Sequence, residues 1–361
     1  MALSPEREYI ISVFLFQRGK SMLYTQLGKS GLVVSRLAMG TMLFGEGDYF
    51  GLKYTFNQAR ANELISRSFD AGINLFDTAA SYNNGLGEQM LGKALGTRRS
   101  EAIISTKIAF RTGTAAFQAG ISYKNIVDTA ERSLKNLGTD YIDILMLHND
   151  DPITPIEETL KAMETLQQQG KIRYAGISNW QAWKAATALQ MQYDKGYSSF
   201  IASQMHYSLL NRELEAEFIP MSQHHGLGIM VWSPLSSGFL TGKYSRTNPE
   251  PEEARLNSFD LGLFDRNWAY VVVDTVRAIA EAHKTSLTAV SLAWLLTKQY
   301  ASTILIGVSK LEQLQANFDS LTITLSADEI KALDDITVPQ MRYPQTFTNL
   351  HDKILREAKV W

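Results

Sequence analysis

The chain of 361 residues contains no cysteine. That excludes disulfides, thiolate nucleophiles and cysteine-bound zinc. It has no apolar run of the ~18 residues that a membrane-crossing helix needs, so no transmembrane segment is expected. It also lacks an excess of charge of either sign. The net charge is -2, which leaves no electrostatic footprint for nucleic acid or an anionic membrane. The basic stretch Thr97-Arg98-Arg99 is too short to provide one and reads as a solvated loop. With 45% hydrophobic and 20% charged residues, the composition is that of a globular protein.

Residues 1–21 stand apart from the rest of the chain. Ile10–Phe16 (IISVFLF) approaches the length of a signal-peptide core, but Glu6 and Glu8 spoil the basic leader such a signal needs. The stretch is expected to be an extension outside the fold, with Met22 as the natural beginning and a cytoplasmic setting for the protein. Next, Tyr24–Leu37 reads as a β-hairpin that turns at Gly28-Lys29-Ser30-Gly31.

Short apolar runs then alternate with amphipathic ones. Strands are expected at Leu37–Thr41, Asn74–Thr78, Ala102–Ile108, Ile142–His148, Ala175–Ser178, Ser203–Tyr207, Gly228–Ser233 and Thr303–Val308. Helix-period segments between them include Ala59–Ala71, Tyr123–Leu137, Pro155–Gln169 and Tyr270–His283. The third of these should start on Thr154 as N-cap and stop at Gly170. Strand–helix alternation without a break in composition predicts one α/β domain over 22–361. It would be a (β/α)8 TIM barrel with an N-terminal hairpin and an extra C-terminal helical segment. Two long stretches, Ala109–Ser122 and Tyr244–Arg266, are expected as loops over the active-site face.

Asp77, Lys107 and His148 each sit at or just beyond a strand end, and Tyr82 follows Asp77 by five residues. In such barrels the chemistry gathers at the C-terminal edge of the strands. A tyrosine is a poor acid at neutral pH, and a nearby ammonium favours its phenolate. Lys107 can supply that ammonium, Asp77 can hold it charged, and His148 can orient a carbonyl oxygen beside Tyr82. The group could then give a proton to a developing alkoxide or take it back. Taken singly, these residues fit a strand-end cap, a buried ion pair, a packed histidine and a surface aromatic. Their conjunction at successive strand ends points to a site.

The run Gly72–Tyr82 (GINLFDTAASY) with Gly87-Glu88 resembles the signature of the aldo-keto reductases. So do Ser105-Thr106-Lys107, Asp143 to His148, Gly176–Asn179, Gln204 with Tyr207–Leu210, and Trp232–Leu235, in the family's order. The longer-chain branch, related to bacterial reductases and potassium-channel β subunits, is the most similar. The resemblance implies Asp77, Tyr82, Lys107 and His148 as a catalytic tetrad with Tyr82 as acid/base, a nicotinamide cofactor and no metal. It further implies that Ser178, Asn179 and Gln204 hold the carboxamide while Trp232 stacks on the nicotinamide. Gly40, Thr41 and Met42 would lie along the ribose, with Asp77 close by. Ser233, Pro234, Leu235, Gly238 and Lys243 would follow the pyrophosphate. Gly307, Ser309, Lys310, Gln313 and Asn317 would hold the adenosine end.

Many NADPH-preferring relatives carry an arginine at or beside the position of Lys310. Arginine grips phosphate bidentately and lysine only as a point charge. NADPH is therefore the favoured cofactor and NADH an alternative. Phe44, Phe110 and Trp180, with Tyr82 and His148, are expected to line the pocket of a small-molecule carbonyl substrate. Asn149-Asp150-Asp151 would add polar groups at its rim. Two rival readings are a cofactor-binding regulatory subunit similar to channel β subunits, and a barrel enzyme using Lys107 as a Schiff base.

Overall fold

The computed structural model describes residues 22–49, 52–252, 256, 260–308, 310–340 and 342–357. The extension 1–21 and Ser309 lie outside the described residues.

A hairpin comes first. Strands β1 (Tyr24–Gln26) and β2 (Val33–Ser35) pair antiparallel, with Thr25 opposite Val34. Its turn begins at Gly28, which has φ +60; a Cβ there would come within 2.5 Å of the Gly226 carbonyl oxygen and 2.6 Å of the Gly228 nitrogen. Only glycine allows both the left-handed backbone and so close an approach. The tip thus abuts the entry ends of two barrel strands and closes the N-terminal mouth. Leu27 and Val34 pack from this side onto the barrel interior formed by Ala38, Leu75, Ile144, Met146 and Met230.

Eight parallel strands form the closed barrel: β3 (Leu37–Gly40), β6 (Leu75–Asp77), β7 (Ile103–Ile108), β8 (Ile142–Leu147), β9 (Ile172–Ser178), β10 (Ala202–His206), β11 (Gly228–Trp232) and β12 (Ala301–Ile306). They are the eight expected, and β12 closes onto β3. Strand side chains alternate between the two faces. Leu75 and Asp77, Ser105 and Lys107, Ala202, Gln204 and His206, and Met230 and Trp232 therefore share the inward face of their strands. A Cβ on Gly176 would meet the Met146 sulfur at 2.4 Å, so that glycine makes room for its neighbour inside the barrel.

Helices α1 (Gln58–Asp70), α2 (Leu86–Leu95), α3 (Tyr123–Leu137), α4 (Ile156–Gln168), α5 (Ala182–Lys195), α6 (Phe218–His225), α7 (Arg266–Ala282) and α8 (Leu287–Leu296) surround the strands. The chain continues through α9 (Leu311–Asp319), α10 (Ala327–Ile336) and α11 (Gln345–Glu357), the C-terminal helical segment. Three details differ from the sequence expectation. Pro155, not Thr154, takes the N-cap position of α4. The Thr154 hydroxyl instead donates to Asp151 Oδ2 at 2.7 Å, a local bond that competes with capping. Helix α7 begins four residues before Tyr270 because Asp265 caps it, accepting from Trp268 N at 2.7 Å. Helix α8 is apolar all round, with Trp294 fully buried, so no amphipathic period marks it in the sequence.

A further hairpin, β4 (Gly45–Tyr49) with β5 (Leu52–Phe56), follows the first barrel strand and was not expected. Gly45-Glu46-Gly47-Asp48 has little β propensity, and pairing overrides it. The hairpin lies against the segment after Tyr82: a Cβ on Gly45 would strike the Asn83 side chain. The 109–122 stretch joins β7 to α3 without a regular strand or α-helix, as expected.

Candidate active site

Asp77 ends β6, and five residues later Tyr82 opens a tight turn in which Asn83, Asn84 and Gly85 all have positive φ (48°, 52° and 88°). Asparagine and glycine tolerate that conformation best. The turn feeds α2, whose Gly87 lies close under Tyr82: a Cβ there would come within 3.3 Å of Tyr82 Cβ and 3.5 Å of Thr78 Oγ1. One residue on, the buried Glu88 accepts from Thr106 Oγ1 at 2.6 Å and from Asn136 Nδ2 at 2.9 Å. This ties α2 to the strand that carries Lys107. Burial raises the Glu88 carboxyl above its ordinary range, against the hydrogen bonds that lower it.

Lys107 is fully buried. Its Nζ donates to Asp77 Oδ2 at 2.5 Å, to the Thr78 carbonyl at 2.7 Å and to Tyr82 Oη at 3.2 Å. An ammonium has three donors, and all three are used. Burial pulls its pKa down, but the charges and hydrogen bonds of Asp77 and Tyr82 outweigh that and raise it. Lys107 is therefore a cation at neutral pH. The other Asp77 oxygen, Oδ1, accepts from Gln204 Nε2 at 2.8 Å across the barrel.

His148 follows β8. Its ring stands edge-on to Tyr82, with centroids 5.8 Å apart, and to Phe110 at 4.5 Å. Burial, then the Lys107 charge, holds its pKa well below the ordinary value, so the imidazole is neutral. Its Nδ1 is buried without a hydrogen-bond partner.

The strands opposite carry a second set. Ser178 ends β9 and donates to the Gln204 carbonyl at 2.8 Å. Asn179, with φ +58, donates from Nδ2 to the His148 carbonyl and to Ser178 Oγ, both at 3.0 Å. Its Oδ1 accepts from Trp232 Nε1, also at 3.0 Å. One network therefore joins Tyr82, Lys107, Asp77, Gln204, Ser178, Asn179, the His148 backbone and Trp232. Thr41, just past β3, joins it: its N–H and hydroxyl donate to the Asp77 carbonyl at 2.8 and 3.1 Å. Gly40, at the end of β3, and Met42 flank Thr41 and are half-buried.

After β11 the backbone runs through left-handed conformations at Ser233, Ser236, Ser237 and Gly238. Pro234 is buried within this turn and Leu235 half-buried. The end of the Lys243 side chain lies 3.0 Å from where a Gly238 Cβ would stand, so main chain and ammonium meet there without an intervening side chain. Further round, Gly307, Lys310 and Gln313 are exposed while Asn317 is buried. Gln313 Oε1 accepts from the Lys310 N–H at 3.1 Å, at the start of α9.

The three aromatics expected at the pocket mouth differ in placement. Phe110 is 46% exposed at the rim. Phe44 is buried and stacked on Phe56 at 5.1 Å, and Trp180 is buried edge-on to Phe200 at 6.4 Å. The two carboxylates expected at the rim have protein partners: Asp150 pairs with Lys184 of α5, and Asp151 Oδ2 accepts from Ile121 N at 3.0 Å. His206, outside the residues expected at the site, has its ring 4.5 Å from that of Trp232. Strand alternation from Gln204 would have found it, since residues two apart share a face.

A sequence model described as the aldo/keto reductase family matches residues 36–338. The chain is 36% identical over 313 residues to a protein of Oryza sativa subsp. japonica named "Probable voltage-gated potassium channel subunit beta", covering 84% of this chain and 92% of the relative. It is 30% identical over 342 residues to an aldo-keto reductase of Fusarium vanettenii, covering 88% and 91%. With the versiconal hemiacetal acetate reductase of Aspergillus parasiticus it shares 29% identity over 344 residues, covering 90% and 99%.

Proposed function

The chain belongs to the aldo/keto reductase family, and on that premise we propose that it is an NADPH-dependent oxidoreductase that reversibly reduces aldehyde and ketone carbonyls to alcohols. The observation that carries this reading is the buried Lys107 ammonium between the Asp77 carboxylate and the Tyr82 hydroxyl. It favours the phenolate side of the tyrosine equilibrium and readies Tyr82 to exchange a proton with a substrate oxygen. Asp77 keeps that ammonium charged, and Gln204 fixes the carboxylate from its other oxygen. His148 is neutral with an unpartnered Nδ1. An orphan acceptor costs less than an orphan N–H. We therefore assign the proton to Nε2, from which His148 orients the carbonyl beside Tyr82. During reduction Tyr82 protonates the oxygen; during oxidation it takes that proton back.

The chain's residues fit a nicotinamide dinucleotide. Trp232 is half-buried at the end of β11, its indole fixed through Nε1, and so offers a flat apolar ring. Gln204 keeps Oε1 as an acceptor for an amide N–H. The left-handed turn and Lys243 suit a diphosphate, and the exposed Lys310 suits the 2′-phosphate of NADPH over NADH. When bound, the cofactor supplies the hydride. A panel of aldehydes, ketones and sugars assayed with both nicotinamides tests the reading. Turnover of 4-nitrobenzaldehyde with NADPH is expected. Tight NADPH binding with no turnover across the panel would instead support a regulatory subunit, the role printed in the name of the Oryza relative.

A further inference from the structure

His206 and Trp232 occupy paired positions at the ends of neighbouring parallel strands. Both side chains point inward, beyond the level at which Gln204 meets Asp77. Their rings lie 4.5 Å apart at an interplanar angle of 30°. The indole is also held at its edge, where Nε1 donates to Asn179 Oδ1 at 3.0 Å. Asn179 in turn is fixed by its own bonds to His148 and Ser178. Trp232 thus has two restraints of different kinds, a directional bond in its plane and a ring against one face. The bond alone leaves the indole free to swing about the Nε1 axis; the imidazole removes that freedom.

We propose that His206 is a positioning residue that braces the Trp232 indole, so that the opposite indole face receives the nicotinamide ring in a fixed plane. The inference rests on the reductase reading above. An imidazole suits the task because burial lowers its pKa to about 4, which keeps it neutral at working pH. A neutral brace adds no positive charge near the nicotinamide, which is itself cationic when oxidised. The residue acts through Trp232 and takes no part in proton transfer.

The test compares wild type, His206→Ala and His206→Phe by calorimetric titration with NADPH, steady-state kinetics and thermal unfolding. Aromatic pairs contribute enough to predict a two- to roughly tenfold weaker NADPH Kd in the alanine variant, with a parallel rise in cofactor KM. The kcat should change less than about twofold, since the proton-transfer group Tyr82 is untouched. Phenylalanine, which restores a flat ring but no titratable group, should bring Kd back towards wild type. A lower Tm in His206→Ala with an unchanged NADPH Kd would reduce the histidine to a packing residue and overturn the proposal. So would a phenylalanine variant as impaired as the alanine one. Failure of wild type to bind NADPH at all would sink the reductase reading and this inference together. Normal wild-type binding with no effect of either substitution would sink the brace alone.

Discussion

Lys107 and Lys310 mark opposite ends of the proposed cofactor path, and their surroundings are opposite too. Lys107 is wholly buried, with each ammonium proton directed to a protein acceptor on or just after β6. Lys310 is exposed where the chain leaves the last strand. At the first end, geometry is set before any ligand arrives: strand ends, a three-residue left-handed turn and cross-barrel bonds leave Tyr82 and Asp77 little freedom. At the second, a flexible side chain offers a point charge in water. Preorganised groups in a dry site can act on a reaction. Exposed charges are screened and chiefly tune which ligand is preferred. The buried half should therefore govern rate and stability, and the exposed half cofactor choice.

The largest expected effect lies in the buried half. Tyr82→Phe should lower kcat by about 10²–10⁴, the usual contribution of a positioned acid, while NADPH binding persists. Retention of more than about a tenth of wild-type turnover would remove Tyr82 from the acid/base role. Next comes stability. Lys107→Met strands the buried Asp77 charge and should cost about 3–5 kcal/mol of unfolding free energy by urea titration. A loss below about 1 kcal/mol would mean that the pair is not the rigid centre described.

A smaller effect concerns pH. His206 is held neutral in the folded chain down to about 4, whereas the unfolded chain protonates it near 6.5. Between those values the unfolded state binds the extra proton, so stability falls as pH falls, by at most about 1.4 kcal/mol per unit from this group. His148, also lowered by burial, acts in the same direction. His206→Phe should therefore flatten the dependence of the urea midpoint on pH between about 7 and about 5. An unchanged slope would show that position 206 titrates normally. The smallest effect belongs to the exposed half: Lys310→Ala should raise the KM for NADPH by about fivefold, as the loss of roughly 1 kcal/mol implies, and leave that for NADH unchanged. Equal effects on both would detach Lys310 from the 2′-phosphate.

The same contrast explains what the sequence made legible. Barrel strands are apolar runs bounded by turns, so all eight, and the residues at their ends, could be found by pattern. The network joining Asp77 to Gln204 links residues 127 apart in the chain, and no local pattern reports it. His206 was legible in principle through strand alternation, but its partner Trp232 becomes its neighbour only through the β10–β11 register. Helix α8 escaped because burial on every side erases the amphipathic period. The β4–β5 hairpin escaped because its glycine- and acid-rich first strand has weak local preference and is defined by its partner. What was missed is what only tertiary pairing specifies.

The proposed function stands on hydride transfer from a nicotinamide to a carbonyl carbon beside Tyr82. Its most direct test is reduction of 4-nitrobenzaldehyde with NADPH deuterated at one face of nicotinamide C4, followed by mass spectrometry of the alcohol. One of the two labelled stereoisomers should deliver its deuterium to the carbinol carbon and the other should not. A product free of deuterium from both, or a borohydride-trapped substrate adduct on Lys107, would contradict it.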